Sequence, residues 1–426
     1  MTEQANNSLW AKTRHSEIKV NILDHEAVCD MAIIGGGFTG CSAALRLAED
    51  GINVTVLEAE FSGFGGSGRN VGLTNAGLWI GPDDVVKALG SAYGERLNAL
   101  LSEAPSLVHK IIEDNDIQCE ALRNGTLHFA HSEKGMDDLK KKIEQNARRG
   151  IDLELLDREQ TFELSAAENY LGAILDKRAG TIQPLEYCHG LMKAAEKAGA
   201  TIYTGTPALD IFKVGDLWYI KTEKGLLKAK KVLVATNAYL SKICPDLERT
   251  FTPMYYAQMA TDPLSEEQLE NYLPGKNGTW DTRMVMRSYR TDEAGRLIIG
   301  TIGNIFMNNA PLFTSWANKM VRDTFPKVGP VEWTYKWAGR IACSKNYVPN
   351  FHHLSDNLYS INGFSGRGIS PGTAIGREVA DFMMEKKTAG ELPLPLKSPE
   401  NVPFNLLRQA FYETGSQLTR IKDHFL

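Results

Sequence analysis

The chain runs to 426 residues, above the usual size of a single domain, so two intimately joined domains are expected. Its composition, 43% hydrophobic and 23% charged, is that of a globular protein whose core can enclose a cofactor. A net charge of -5 argues against nucleic acid, whose phosphates need a clustered basic surface. The six cysteines form no CxxC pair and the histidines show no ligand spacing, so neither a metal site nor a disulfide framework is expected. The start MTEQANNSLWAKTRH lacks the apolar core of a signal peptide, and no stretch supplies the roughly 20 apolar residues of a membrane span. A cytoplasmic protein is expected, with peripheral attachment to the inner membrane left open.

From Ala27 to Ile34 the sequence reads as a short buried strand. It runs into Gly35-Gly36-Gly37-Phe38-Thr39-Gly40 and then a helical segment that ends at Gly51. INVTVLEAE follows, a second strand closing on Glu58 and Ala59. This is the strand, GxGxxG, helix, strand, acid order of a dinucleotide-binding unit. Gly35 permits the tight turn, Gly37 lets a pyrophosphate approach the backbone, and Gly40 lets helix and strand pack closely. The helix start at Phe38 and Thr39 presents unpaired N–H groups and a positive dipole end to phosphates. Glu58 suits the adenosine ribose hydroxyls and disfavours a 2′-phosphate. None of this separates FAD from NAD.

Next comes Phe61 to Gly72, FSGFGGSGRNVG, with five glycines in twelve residues. Such a segment builds neither helix nor strand cheaply; it suits backbone wrapped round the second part of a long cofactor, or else a mobile surface loop. Two amphipathic helical stretches follow, then a strand around Leu127. KKVLVATNAY reads as a strand ending in the small residues Ala235, Thr236 and Asn237, as suits either a core strand or one passing near a nucleotide. The region from Thr252 to Lys336 is strand-rich, with a hairpin turn at Asp292 to Gly295. Alternation sends Tyr256 and Gln258 to one face, and Arg287, Tyr289 and Arg290 lie on a nearby strand. NLYSINGFSGRGISPG gives strand, glycine-rich turn, helix; LPLPLKSP is a connection, and a final helix starts at about Asn405.

The run SGRN followed by VGLTNAG resembles the flavin-cradling loop of the glycine oxidase, sarcosine oxidase and D-amino-acid oxidase superfamily. Within it the similarity points to the branch of bacterial L-pipecolate oxidase and γ-glutamylputrescine oxidase. GTLHFAH from Gly125, DKRAGTIQP from Asp176, the stretch Trp280 to Gly300 and LRQAFYETG from Leu407 match in order, so the resemblance covers nearly the whole chain. It implies an α/β protein with a discontinuous FAD-binding Rossmann-like domain (27–100, 175–250 and 337–390). A second α+β substrate domain on a mostly antiparallel sheet (101–174 and 251–336) is implied too, with 391–426 as connection and helix.

The resemblance also implies non-covalent FAD. The expected contacts are Gly35, Gly37, Phe38, Thr39, Gly40, Glu58, Ala59, Gly66, Ser67, Gly68, Arg69, Asn70, Val71, Gly72, Pro207, Ala208, Ala235, Thr236, Asn237, Trp337, Gly339, Gly363, Phe364, Gly366, Arg367, Gly368 and Ile369. The implied reaction oxidises a secondary or cyclic amino acid, L-pipecolate first, to an imine by hydride transfer to flavin N5. Oxygen or a respiratory acceptor then takes the electrons. Tyr256, Gln258, Arg287, Arg290, Arg69 and Arg367 are the candidates for meeting the substrate; His128 reads as packed in a strand.

Three positions depart from sarcosine-oxidase-like members: Ile298 stands where a lysine promotes oxygen reaction, Ser370 where a lysine binds carboxylate, and Cys343 does not match the flavinylated cysteine. A γ-glutamylputrescine or other amine oxidase, a flavin-binding subunit without turnover, and an NAD-dependent dehydrogenase are the alternatives. The sequence leaves the oligomeric state open.

Overall fold

A computed structural model describes residues 8–18, 20–240, 243–305, 310–403 and 405–425. Two sheets organise them. The first has nine strands. At its centre the strand Glu26–Ile34 pairs in parallel with Val54–Leu57 on one side and Leu226–Val234 on the other. Its inner end, MAII, is buried, as a parallel strand covered on both faces must be. Leu358–Asn362 extends the parallel run beyond Leu226–Val234, and Thr201–Tyr203 extends it beyond Val54–Leu57.

The helix Phe38–Glu49 lies on one face of this sheet, packed against Ile369–Met383 and Pro184–Lys197. Small residues allow that closeness: a Cβ built on Gly376 would stand 2.6 Å from the Thr39 carbonyl oxygen. Replacing Gly376 therefore forces the two helices apart.

The second sheet has eight strands in a mostly antiparallel order. Thr252–Pro263 sits between Tyr335–Cys343 and Arg296–Ile302. Aromatic side chains fill its outer core, where Phe325 meets Tyr272 and Tyr289 edge-on at 4.7 and 5.2 Å, and the helix Ala310–Thr324 adds Phe313 and Trp316. The mixed α/β architecture is thus the expected one.

Several expected boundaries shift. Tyr335–Cys343 belongs to the second sheet, so the last Rossmann-like segment starts after Cys343 and not at 337. Trp337 and Gly339 accordingly come from the second sheet. The helix Ser91–Asp114 runs through the boundary expected at 100, because its apolar stripe (Leu97, Leu101, Val108) joins the core under the first sheet. The strand Gly172–Asp176 crosses the boundary at 175 in the same way. The proline-rich connection also contributes a two-residue strand, Leu396–Lys397, to the first sheet. Among the described residues no helix is long and apolar enough to cross a membrane.

Candidate active site

Four parallel strands of the first sheet end on one edge, at Gly35, Glu58, Ala235 and Gly363. That carboxyl edge is where open α/β sheets bind ligands. The first turn is as tight as its glycines allow: Gly35 has φ +113, and a Cβ there would lie 2.9 Å from the Ala235 carbonyl oxygen. One on Gly40 would lie 2.0 Å from the Gly35 carbonyl oxygen. The helix beginning at Phe38 has no side-chain cap, and Phe38 N–H donates to Ser67 Oγ at 3.1 Å. Ser67 therefore ties the glycine-rich loop to the phosphate-binding turn.

Glu58 is held in place by backbone. Gly36 N–H donates to its Oε2 at 2.6 Å and Glu60 N–H to its Oε1 at 3.0 Å. Burial raises its pKa while these bonds pull it down. Thr206 N–H donates to the Glu58 carbonyl, which sets Pro207 and Ala208 beside the acid; Ala59 is exposed. Asn237, at φ +46, accepts from Gly363 N–H through Oδ1 at 3.0 Å and so joins the end of one strand to the turn after another.

That second turn, Gly363-Phe364-Ser365-Gly366-Arg367-Gly368, opens the helix Ile369–Met383. Gly363 and Gly366 take φ +80 and +88, and Phe364 bridges to Cys343 of the second sheet. No atom lies within 4 Å of a Cβ built on Gly368, at an uncapped helix start.

Three arginines line the space between the sheets. Arg69, 5% exposed, lies 4.6 Å from the Phe64 ring centroid and 5.7 Å from that of Tyr239. Tyr239 OH in turn accepts from Arg340 N–H at 2.8 Å. Arg367 lies over the rings of Trp79 and Trp280, at 4.4 and 4.6 Å, and His128 stacks on Trp280 at 4.8 Å. Arg69 Nε and Nη2, Arg340 Nε, Arg367 Nε and Nη1, Thr236 Oγ1 and Trp280 Nε1 are buried without a partner. Unpaired polar atoms at this density are rare in a finished interior. They fit a large cofactor with anionic and carbonyl groups, which FAD is.

The other expected substrate residues are engaged. Gln258 Nε2 and Trp337 Nε1 both donate to the Arg69 carbonyl, and Gly339 packs against Arg69 Cβ. Arg290 donates through Nε and Nη1 to the carbonyls of Thr291, Val71, Gly72 and Ile182. Arg287 is buried, and its backbone N–H donates to Asp281 Oδ1. Tyr256 OH shares a 2.7 Å bond with Ser288 Oγ, and burial pushes its pKa up. Trp79, Trp280, Phe64, Tyr239 and Arg340 went unsingled in the sequence; single residues scattered over separate loops and strands carry no spacing signal.

The family described as "FAD dependent oxidoreductase" (DAO) matches residues 30–382. The chain belongs to the DAO family of FAD-dependent oxidoreductases. It is 30% identical over 429 residues to the gamma-glutamylputrescine oxidoreductase of Escherichia coli (strain K12), an alignment spanning 98% of this chain and 100% of that one. The probable oxidoreductase OrdL of Haemophilus influenzae is 28% identical over 425 residues, spanning 98% and 97%. The solved glycine oxidase of Geobacillus kaustophilus shares the fold, with a TM-score of 0.70 at 20% identity over 85% of this chain and 96% of that one.

The departures expected for this DAO-family chain sit in telling places. Ile298 is fully buried in an apolar cluster with Leu9, Trp10, Leu185, Ala260 and Trp337. Ser370 Oγ is buried without a partner in the first turn of the helix Ile369–Met383.

Proposed function

We propose that the protein oxidises an amine carrying a carboxylate, with a secondary or cyclic amino acid such as L-pipecolate as the first substrate. The observation that carries this is Arg367. Its guanidinium is buried over two indole rings, with two nitrogens unpaired. Burial disfavours its charge, and the carboxylate of Asp176 offsets that only in part. A substrate carboxylate would supply the missing partner in a charge-assisted, two-pronged bond.

FAD, bound non-covalently along Gly35–Gly40, Glu58, Gly66–Gly72 and Gly363–Ile369, supplies the two-electron acceptor. Burial pushes the Cys343 thiol up to about 12, which keeps it from acting as a thiolate nucleophile. The chain's own contribution is to hold the substrate and keep water out. Arg367 fixes the carboxylate while the Trp79 and Trp280 rings wall the space, which favours a single approach of the C–H beside nitrogen. That carbon gives up its hydrogen with both electrons, the nitrogen loses a proton to solvent, and an imine results. His128 is kept neutral by burial and by the charges of Lys142 and Arg367, so it is no proton donor near neutral pH.

A second reading, oxidation of γ-glutamylputrescine, has its own support in the relative that aligns end to end. Both substrates carry a carboxylate and an oxidisable amine. Anaerobic addition of each to the yellow holoprotein tests the proposal. Bleaching of the flavin band by L-pipecolate supports the first reading and bleaching by γ-glutamylputrescine alone the second. A band untouched by both and by other amino acids overturns the amine reading.

A further inference from the structure

Four consecutive carbonyl oxygens of the glycine-rich loop are held by donors from distant parts of the chain. The Arg69 oxygen accepts from Gln258 Nε2 at 2.6 Å and Trp337 Nε1 at 3.2 Å. The Asn70 oxygen accepts from Trp10 Nε1 at 2.8 Å. Those of Val71 and Gly72 accept from Arg290 Nη1 at 3.0 and 3.2 Å. In a planar trans peptide the N–H points opposite to the carbonyl. Holding the oxygens of Arg69 and Asn70 therefore aims the N–H groups of Asn70 and Val71 the other way.

Trp10 comes from outside both domains. It sits on the short helix Leu9–Lys12, whose Ser8 cap accepts from Ala11 N–H. Its ring is fully buried, edge-on to Trp337 at 5.9 Å and 5.1 Å from the Arg290 guanidinium. Gln183 Nε2 donates to its carbonyl at 3.0 Å. One indole thus touches the loop at Asn70 and two of the other groups that shape it, Trp337 and Arg290. The segment is anchored independently further on, where Ser16 N–H donates to Glu186 Oε1 and Asn21 Nδ2 to the Ile202 carbonyl.

We propose that Trp10 is a positioning residue for FAD: the segment before the first strand wedges loop 66–72 into the shape that meets the flavin. This rests on the reading that the loop lies against FAD. An indole is a hydrogen-bond donor that phenylalanine can replace in packing but not in donation.

The test is FAD titration of apoprotein, read by quenching of flavin fluorescence and by the visible spectrum, for Trp10→Phe, Leu9→Ala and Arg69→Ala. Trp10→Phe is expected to raise the FAD Kd about tenfold, in keeping with one lost buried hydrogen bond, and to alter the shape of the flavin band. Leu9→Ala, a neighbouring core truncation without the tie to Asn70, is expected to lower Tm yet leave Kd within about twofold. Wild-type Kd and spectrum in Trp10→Phe overturn the proposal. So does an equal loss of affinity in Leu9→Ala, which would make the effect one of general stability. Arg69→Ala separates the two readings: an unaltered flavin band there sinks the loop assignment itself, while an altered one beside a normal Trp10→Phe sinks only the role of Trp10. If Trp10→Phe does not fold, Ser8→Ala removes the buried cap of the same helix and is expected to raise Kd about threefold; an unchanged Kd overturns the proposal.

Discussion

Arg367 is the side chain on which the proposed carboxylate contact rests. Its charge is held by ring faces, which stabilise a cation without using up its N–H groups. Two of its nitrogens are consequently left for a ligand. Arg367→Lys should raise KM for a carboxylate substrate roughly 10- to 100-fold, the worth of a charge-assisted pair. Steady-state kinetics checks this, and FAD should still bind, because the turn Gly35–Gly40 and the helix start at Phe38 are untouched. His128 makes the opposite prediction. Burial first, then the charges of Lys142 and Arg367, hold its pKa well below the ordinary value. The acid limb of kcat/KM should therefore follow the substrate amine, which must be neutral to react, and His128→Gln should leave that limb where it was. A limb displaced by the substitution would make His128 a participant.

At the level of elements, the glycines separate those that serve the fold from those that leave room. Gly40 is needed by the chain itself, since any Cβ there collides with the Gly35 carbonyl. Gly368 is different: its φ of -108 suits any residue, and nothing in the chain lies near a Cβ built on it. Gly368→Ala should leave the apoprotein's Tm within about 2 °C, since a surface-like change without a clash costs only some tenths of a kcal/mol. FAD affinity should nevertheless fall at least tenfold, because the free space is read as the flavin's. Calorimetry of the apoprotein and a flavin titration together decide it; loss of Tm with unchanged affinity would refute the assignment. Much of this was legible beforehand. The strand over Glu26–Ile34, the turn at Gly35, the hairpin turn at Asp292 and the helix from Asn405 stand where periodicity and turn residues put them. The strand Tyr335–Cys343 was misplaced because its pairing with Thr252–Pro263 depends on a partner some eighty residues away in sequence, which no local pattern encodes.

The whole molecule adds a pH dependence of its own. His352 is 1% exposed on the strand Asn350–Ser355, and burial, then the charge of Lys397, lowers its pKa to about 4. Between that value and the ordinary 6.5 the unfolded chain takes up a proton that the folded one refuses. Stability from this group is then full above pH 6.5 and is lost as pH falls toward 4, by about 3 kcal/mol at most. Thermal unfolding followed across that range should show a steep acid loss, flattened in His352→Phe if the ring is accommodated. An unchanged slope would place the acid sensitivity elsewhere.

The sequence by itself determined the glycine-rich turn after the first strand, the acid at the end of the second strand, the glycine-rich loop and the family, because each is carried by neighbouring residues with fixed spacing. Glycines, strand ends and helix starts act locally, so their meaning survives without a partner. Tertiary structure decided which arginines are spent and which are free. Arg290 and Arg367 look alike along the chain, yet one is tied to four backbone carbonyls and the other lies over two tryptophan rings with nitrogens unpaired. It also decided that Trp10 reaches the glycine-rich loop sixty residues away. A side chain's hydrogen-bond partners are set by what the fold brings within about 3 Å of it, and that distance has no counterpart in sequence separation.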